Sequence, residues 1–213
     1  VGREFDQLFD EWADTYDETV AGIQPEYRHV FDRYDEILQA VVDAVDGHVV
    51  EFGVGTGNLS LKLLEKGVRL TAVEPSKNMR KIAQEKLAPV LVHAGDFLYF
   101  SPPEATVDAI VSSYAFHHLT DEEKAQAARS YAALLQPGGK VVFADTMFAS
   151  KQHHEEQIED ARARGYERLA EDLRTEYYPT VETMARIFSE AGFETSFTQM
   201  NTFVWVMTAE KLA

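Results

Sequence analysis

The run EFGVGTGN carries the densest chemical content in the chain: Glu51 is followed at alternate positions by Gly53, Gly55 and Gly57. Glycines spaced in this way let a backbone turn sharply and come up against a ligand with no Cβ intervening. A nicotinamide-binding G-x-G-x-x-G fingerprint would need glycine at the position of Asn58, and a P-loop would need Gly-Lys-Ser/Thr, so both fail. What remains is acid-x-Gly-x-Gly-x-Gly. Its acid, Glu51, suits a ligand bearing an ammonium group better than one bearing a pyrophosphate.

Two further carboxylates extend the pattern. Glu74 closes the run TAVEPS, where a carboxylate can accept hydrogen bonds from two ribose hydroxyls. Dinucleotide-binding proteins share that feature, so Glu74 indicates a nucleoside and no particular reaction. Asp96 stands in AGDF; beside an adenine it can accept from the exocyclic amine, with Phe97 covering the ring face. A turn aspartate capping the next segment explains Asp96 equally well.

Histidines supply the remaining reactive groups. In AFHHL, a neutral His117 imidazole can take a proton from an incoming nucleophile; a histidine packed in its loop against backbone is the plainer reading. The cluster His153, His154, Glu155 and Glu156 lacks the i, i+4 histidine pairing of zinc helices, because adjacent helical residues point about 100° apart. A solvated face is expected there, and no metal site. The chain contains no cysteine, which excludes disulfides, thiolate-bound zinc, iron–sulfur clusters and a cysteine nucleophile.

The elements that must position these residues are legible from periodicity. Residues 3–45 read as two amphipathic helices with a break around Ala21–Pro25, the first presenting Phe5, Leu8, Phe9, Trp12 and Tyr16 as one stripe. From Gly47 the rhythm changes to short Val-rich runs, HVVEF, VRLTAVE, PVLVHA, DAIVSS and KVVFAD, as expected of parallel strands covered on both faces. Helices are predicted between them over Asn58–Lys66, Ser76–Leu87 and Thr120–Leu135. Ser76 and Thr120 are N-caps, the latter in a capping box with Glu123, while Gly67 and Gly138 suit helix exits. A charged helical insertion fills 147–178, and PTVETMARIFSEAG is a further helix ending at Gly192. FETSFTQMN and TFVWVMTAE then make an antiparallel hairpin joined at Asn201. Strand–helix alternation of this kind implies a doubly wound α/β sheet.

Bulk properties narrow the partners. With 213 residues the chain fits one domain. Acidic residues outnumber Lys and Arg by 36 to 20, for a formal charge of −16, and no basic stripe offers itself to phosphates, so nucleic acid is not the expected substrate. No apolar run is long enough to cross a bilayer and nothing reads as a signal peptide, so no membrane partner and a cytoplasmic location are expected.

Taken in order, EFGVGTG, VEPS, GDF, DAIVSSYAFHHL and LLQPGGKVVFAD resemble the class I, Rossmann-like S-adenosylmethionine-dependent methyltransferases, and most closely the uncharacterised ones of Bacillus-type Gram-positive bacteria. The resemblance covers residues 3 to 209. It implies a doubly wound seven-stranded sheet whose last strand is antiparallel and inserted between strands five and six. It implies one domain: residues 1–46 an N-terminal helical lid, 47–146 the donor-binding core, 147–178 an insertion completing the lid, and 179–213 the last helix and hairpin. Gly53, Gly55 and Glu51 would line the methionine part and ribose of S-adenosyl-L-methionine, Glu74 would hold the ribose, and Asp96 with Phe97 the adenine. Ser113 or Tyr114 would sit beside the donor methyl. Tyr16, in A-x-x-Tyr-Asp, with Trp12, Tyr27, Tyr177 and Tyr178, would wall the cavity; Arg28 and Arg174 are candidates for an anionic acceptor group. The implied activity is methyl transfer to a small-molecule acceptor by in-line displacement, with His117 as the candidate base. A non-catalytic module that binds the same donor is the alternative, and a nucleotide-dependent oxidoreductase with a degenerate fingerprint is a third.

Overall fold

The computed structural model describes residues 24–213. Seven strands form one sheet in the order β3-β2-β1-β4-β5-β7-β6: β1 (His48–Phe52), β2 (Arg69–Glu74), β3 (Val92–Ala94), β4 (Val107–Ser113), β5 (Leu135–Thr146), β6 (Phe193–Gln199) and β7 (Val204–Lys211). β1 pairs in parallel with β2 and with β4, and β4 with β5. β7 lies antiparallel between β5 and β6, as the resemblance implies. All five residues of β1, His48 and Glu51 among them, are buried, as expected of a central strand covered on both faces.

The two-residue strand period sorts the core onto two faces. Val49, Val111 and Val142 pack with Ile37, Leu38 and Val41 of α1 (Tyr34–Asp43) and with Leu59 and Leu63 of α2 (Asn58–Lys66). On the other face Val50, Ile110, Val141 and Phe143 meet α4 (Asp121–Leu134) through Ala127, Ala128 and Tyr131, and α7 (Val181–Glu190) through Met184, Ile187 and Phe188. α3 (Lys77–Leu87) covers the β2–β3 edge.

Helix starts follow their caps. Ser76 Oγ accepts from the Met79 amide, and Thr120 with Glu123 closes a reciprocal capping box, a device worth roughly 1 kcal/mol. The insertion folds as α5 (Lys151–Ala163) and α6 (Glu167–Thr175). Among the described residues no helix is long and apolar enough to cross a membrane.

Two local expectations change. The helix read from Pro25 begins only at Tyr34; before it lie a 3-10 turn, Pro25–Tyr27, and Arg33 in the left-handed region at φ 61°. The cause is the terminal hairpin: Asn201 Nδ2 donates to the carbonyls of Val30 and Asp32, at 3.1 and 2.8 Å, and the Arg33 guanidinium to that of Met200 at 2.8 Å. These contacts draw the carbonyls away from helical pairing. Gly138 has positive φ but lies within β5, past the end of α4, so it serves a bend in the strand and no helix exit.

Candidate functional site

β1 and β4 part at the centre of the sheet, where the chain's progress along the strand order reverses. Such switch points leave a crevice beyond the carboxyl ends of the strands. The glycine turn fills the loop after β1: Gly53, Gly55 and Gly57 all have positive φ, at 64°, 58° and 92°. The Gly53 amide donates to the Val73 carbonyl at 3.0 Å, which lashes the turn to the end of β2. A Cβ on Gly53 would lie 2.8 Å from Ala115 Cβ, whereas one on Gly55 would meet nothing within 4 Å among the described residues. One glycine is therefore demanded by close packing and the other borders open space.

The carboxylates cluster around this turn. Glu74 Oε2 accepts from the Gly55 amide and Oε1 from the Ser76 amide, each at 2.8 Å. Glu51 is buried beneath the turn and accepts from Ser60 Oγ at 2.5 Å. Burial, with the neighbouring Glu74 charge adding to it against the Ser60 bond, pushes the Glu51 carboxyl up to about 8. Asp96 Oδ1 accepts from the amides of Leu98 and Tyr99, at 2.9 and 2.8 Å, so the turn-capping reading of Asp96 holds. Phe97 goes into the core, where its ring packs 5.6 Å from Phe52 and 5.2 Å from Phe116. Its place in that aromatic cluster fixes Asp96; the ring is not laid out as a free cover for a base. Its Cζ still comes within 3.8 Å of a Cβ built on Gly53.

Beyond β4 the chain is strained. Tyr114 is a non-glycine residue at φ 53°, held by its amide bond to the Ala144 carbonyl at 2.9 Å and by packing on Phe31 and Tyr34. Left-handed tyrosine persists only where surroundings impose it. Ser113 is half-buried at the strand end. Its neighbour Ser112 is buried, with no hydrogen-bond partner for Oγ among the described residues, and that oxygen would lie 3.8 Å from a Gly53 Cβ. An orphaned hydroxyl beside a Cβ-free cradle fits a polar ligand against the turn.

Beyond the end of β4 lies a cavity of about 70 Å³, bordered by Tyr27, Tyr114, His117, His118, Asp172 and Glu176. His117 occupies its floor on a 3-10 turn, Phe116–His118. Its Nδ1 is 2.6 Å from Asp145 Oδ1, its backbone amide donates to Asp145 Oδ2 at 2.8 Å, and its Nε2 is 3.3 Å from Glu176 Oε2. Burial alone would lower its pKa, but the two carboxylates outweigh that and raise it to about 9. The neutral base expected from sequence is thus an imidazolium at neutral pH, unable to accept a proton. His118 is shifted down, by burial and then by the His117 charge. Burial would raise Glu176; hydrogen bonds from the two histidines hold it well below the ordinary carboxylate range. Tyr178 stacks on His117 at 4.7 Å and donates to Glu176.

The remaining sequence candidates divide. Tyr16 and Trp12 lie outside the described residues. Tyr27 reaches the cavity and its hydroxyl donates to Asp172. Tyr177 and Arg28 are exposed, and Arg174 is paired with Glu171 on the outer face of α6, where a neighbouring carboxylate already takes its charge. The solvated face expected for residues 153–156 is only half right. His154 turns inward, stacks on Phe148 at 4.3 Å and bonds through Nε2 with the Leu173 carbonyl at 2.7 Å, because α5 must pack on α6.

Four residues at this site escaped the sequence reading. Asp145 ends a strand as an ordinary acid, and Asp172 and Glu176 are two of many acids in the insertion. Lys124 is buried, with its ammonium donating to the carbonyls of Leu119 and, at 2.7 Å, Tyr177. Burial lowers its pKa to about 8, against the pull of Asp121 and Asp145. It pins the stretch carrying Glu176 against the histidine turn. A lysine amid the helix DEEKAQAARS carries no signal of that role.

Residues 49–139 match the methyltransferase domain family. The chain is 53% identical to an uncharacterized methyltransferase of Bacillus pumilus (strain SAFR-032), over 99% of both chains. It is also 53% identical to one of Geobacillus sp. (strain WCH70), over 99% of this chain and all of the relative. Among solved structures, the DhpI–SAH complex superposes with a TM-score of 0.69 at 17% identity, covering 97% of this chain and 95% of that one.

Proposed function

The chain belongs to the methyltransferase family and has its Rossmann-like class I fold, and from that premise we propose that it transfers a methyl group from S-adenosylmethionine to a small-molecule acceptor. The observation that carries this reading is the clamp at the switch point: one carboxylate, Glu74, gathers the amides of Gly55 and Ser76 beside the Gly53 cradle and the orphaned Ser112 hydroxyl. Gly53, Gly55, Glu74 and Asp96 are assigned to the donor, with Ser113 and Tyr114 nearest the reacting end and Glu51 buried beneath the turn that takes the amino-acid tail.

The donor brings an electrophilic methyl carbon on a cationic sulfur, and an acceptor lone pair displaces S-adenosylhomocysteine in line while the acceptor's proton leaves to solvent or a nearby base. The protein's share is alignment and dehydration. Tyr114, fixed in its strained conformation, sets the floor on which an acceptor rests. Residues 24–33 and α6 close over it through Tyr27–Asp172 and through the Leu169 amide, which donates to Glu26 at 3.3 Å; they form the lid. His117, with Nδ1 on Asp145 and Nε2 on Glu176, lines the acceptor cavity and is not the base. Incubating the purified chain with S-adenosylmethionine and a panel of small hydroxyl, amine, thiol and carbon-acid acceptors, and reading S-adenosylhomocysteine release, tests the assignment. Release above the acceptor-free rate with at least one acceptor supports it.

A further inference from the structure

We propose that His117, His118 and Glu176 form a binding site for one divalent first-row transition-metal ion, such as Zn²⁺, at the floor of the acceptor cavity. The ligand atoms lie within 4.8 Å of one another. The His117 Nε2–Glu176 Oε2 and His118 Nε2–Glu176 Oε1 separations are 3.3 and 3.6 Å. Ligands about 2.1 Å from a tetrahedral ion stand about 3.4 Å apart, so the carboxylate already sits at ligand spacing from both rings.

The far side of each ring carries the stronger argument. His117 Nδ1 faces Asp145 Oδ1 at 2.6 Å and His118 Nδ1 faces the Ala115 carbonyl at 2.9 Å. Both partners accept only, so each Nδ1 carries the hydrogen and each Nε2 is left to offer its lone pair once the proton shared with Glu176 is gone. Metal-binding histidines are oriented in this way, by a carboxylate or a carbonyl on the other nitrogen. Asp145 is itself fixed by two amides, of His117 at 2.8 Å and Thr146 at 2.9 Å. The cluster is buried, rigidly stacked by Tyr178, and held on its second side by the Lys124 bond to the Tyr177 carbonyl.

Two imidazoles and one carboxylate leave coordination positions open, and here they open on the cavity beside Tyr27 and Asp172. An open site of this composition suits Zn²⁺ and other borderline divalent ions that bind imidazole. In contrast to a closed structural site, it would take a ligand from the cavity through an oxygen or nitrogen lone pair. Metal capture needs no methyl transfer, so its failure and that of the proposed activity are separable.

The test is titration of the untagged, chelator-dialysed chain with Zn²⁺, by calorimetry, and with Co²⁺, by visible absorption. One ion per chain and a ligand-field band on Co²⁺ loading are expected. His118→Ala and Glu176→Gln should each weaken Zn²⁺ binding at least tenfold, whereas His153→Ala should leave it unchanged. Absence of Zn²⁺ binding to the wild-type chain overturns the proposal, leaving a proton-linked ion-pair network only. So does binding that survives in folded His118→Ala protein. Should both cavity variants fail to fold, the wild-type Co²⁺ spectrum decides: a band of octahedral, water-like weakness contradicts a nitrogen-rich buried site.

Discussion

The Gly55 amide donates to Glu74 Oε2 at 2.8 Å, so the glycine turn after the first strand is held by the carboxylate that ends the second. The other oxygen of that carboxylate takes the Ser76 amide, also at 2.8 Å. A single acid thereby shapes two loops on the same side of the crevice and leaves its charge at their junction. The shapes of both loops depend on that one side chain.

Replacing Glu74 by Ala orphans two loop amides and removes the charge. Donor affinity should fall at least tenfold, about 1.4 kcal/mol, with a lower melting temperature. Calorimetric titration with S-adenosylmethionine reads the first and thermal unfolding the second. An unchanged dissociation constant would remove Glu74 from the site.

Gly53→Ala adds a Cβ 2.8 Å from that of Ala115 at a residue whose φ is 64°. Gly67→Ala, at φ 89° with nothing within 4 Å, meets only the left-handed penalty of about 1–2 kcal/mol. Urea unfolding should show Gly53→Ala as the more destabilised, and donor binding should weaken in that variant alone. Equal donor affinities in the two would argue against a ligand on the turn.

Glu51 sets a pH dependence. Its folded-state pKa of about 8 exceeds the unfolded value near 4.3, so the folded chain holds the extra proton between the two. Stability is therefore full below about pH 4 as far as this group goes, and declines as pH rises towards 8, by at most about 1.4 kcal/mol per pH unit. Glu51→Gln should flatten that decline in urea unfolding series at pH 5.5, 7 and 8.5. A wild-type slope that persists in the variant would place its origin elsewhere.

Tyr27→Phe deletes the hydroxyl that donates to Asp172. Burial raises Asp172 to about 6, despite that bond pulling it down, and the bond joins the segment before α1 to α6. Hydrogen exchange should accelerate in residues 25–31 and 167–175 together, with donor affinity unchanged. Faster exchange in one segment only would uncouple the two halves of the lid.

The centre of the sheet was readable because β1, β4 and β5 carry Val-rich runs, and because Ser76, Thr120 and Gly67 do at helix ends what their side chains allow. The start of α1 was not, since the pattern from Pro25 to Val45 is continuous and only the distant Asn201 and Met200 interrupt it. Local spacing likewise disclosed the turn and its carboxylates, which lie on adjacent strand ends. It did not disclose that His117 meets Asp145 and Glu176, because the first meeting depends on β5 lying beside β4 and the second on how the insertion folds back. Sequence supplied the histidine, and tertiary structure supplied its charge.

The measurement closest to the central claim is calorimetric titration of the chain with S-adenosylmethionine, S-adenosylhomocysteine and NAD in parallel. One equivalent of each sulfur nucleoside should bind with a dissociation constant on the order of micromolar, about −8 kcal/mol, and NAD should not bind. Saturable NAD binding, or no heat with either sulfur nucleoside at millimolar concentration, would contradict the account.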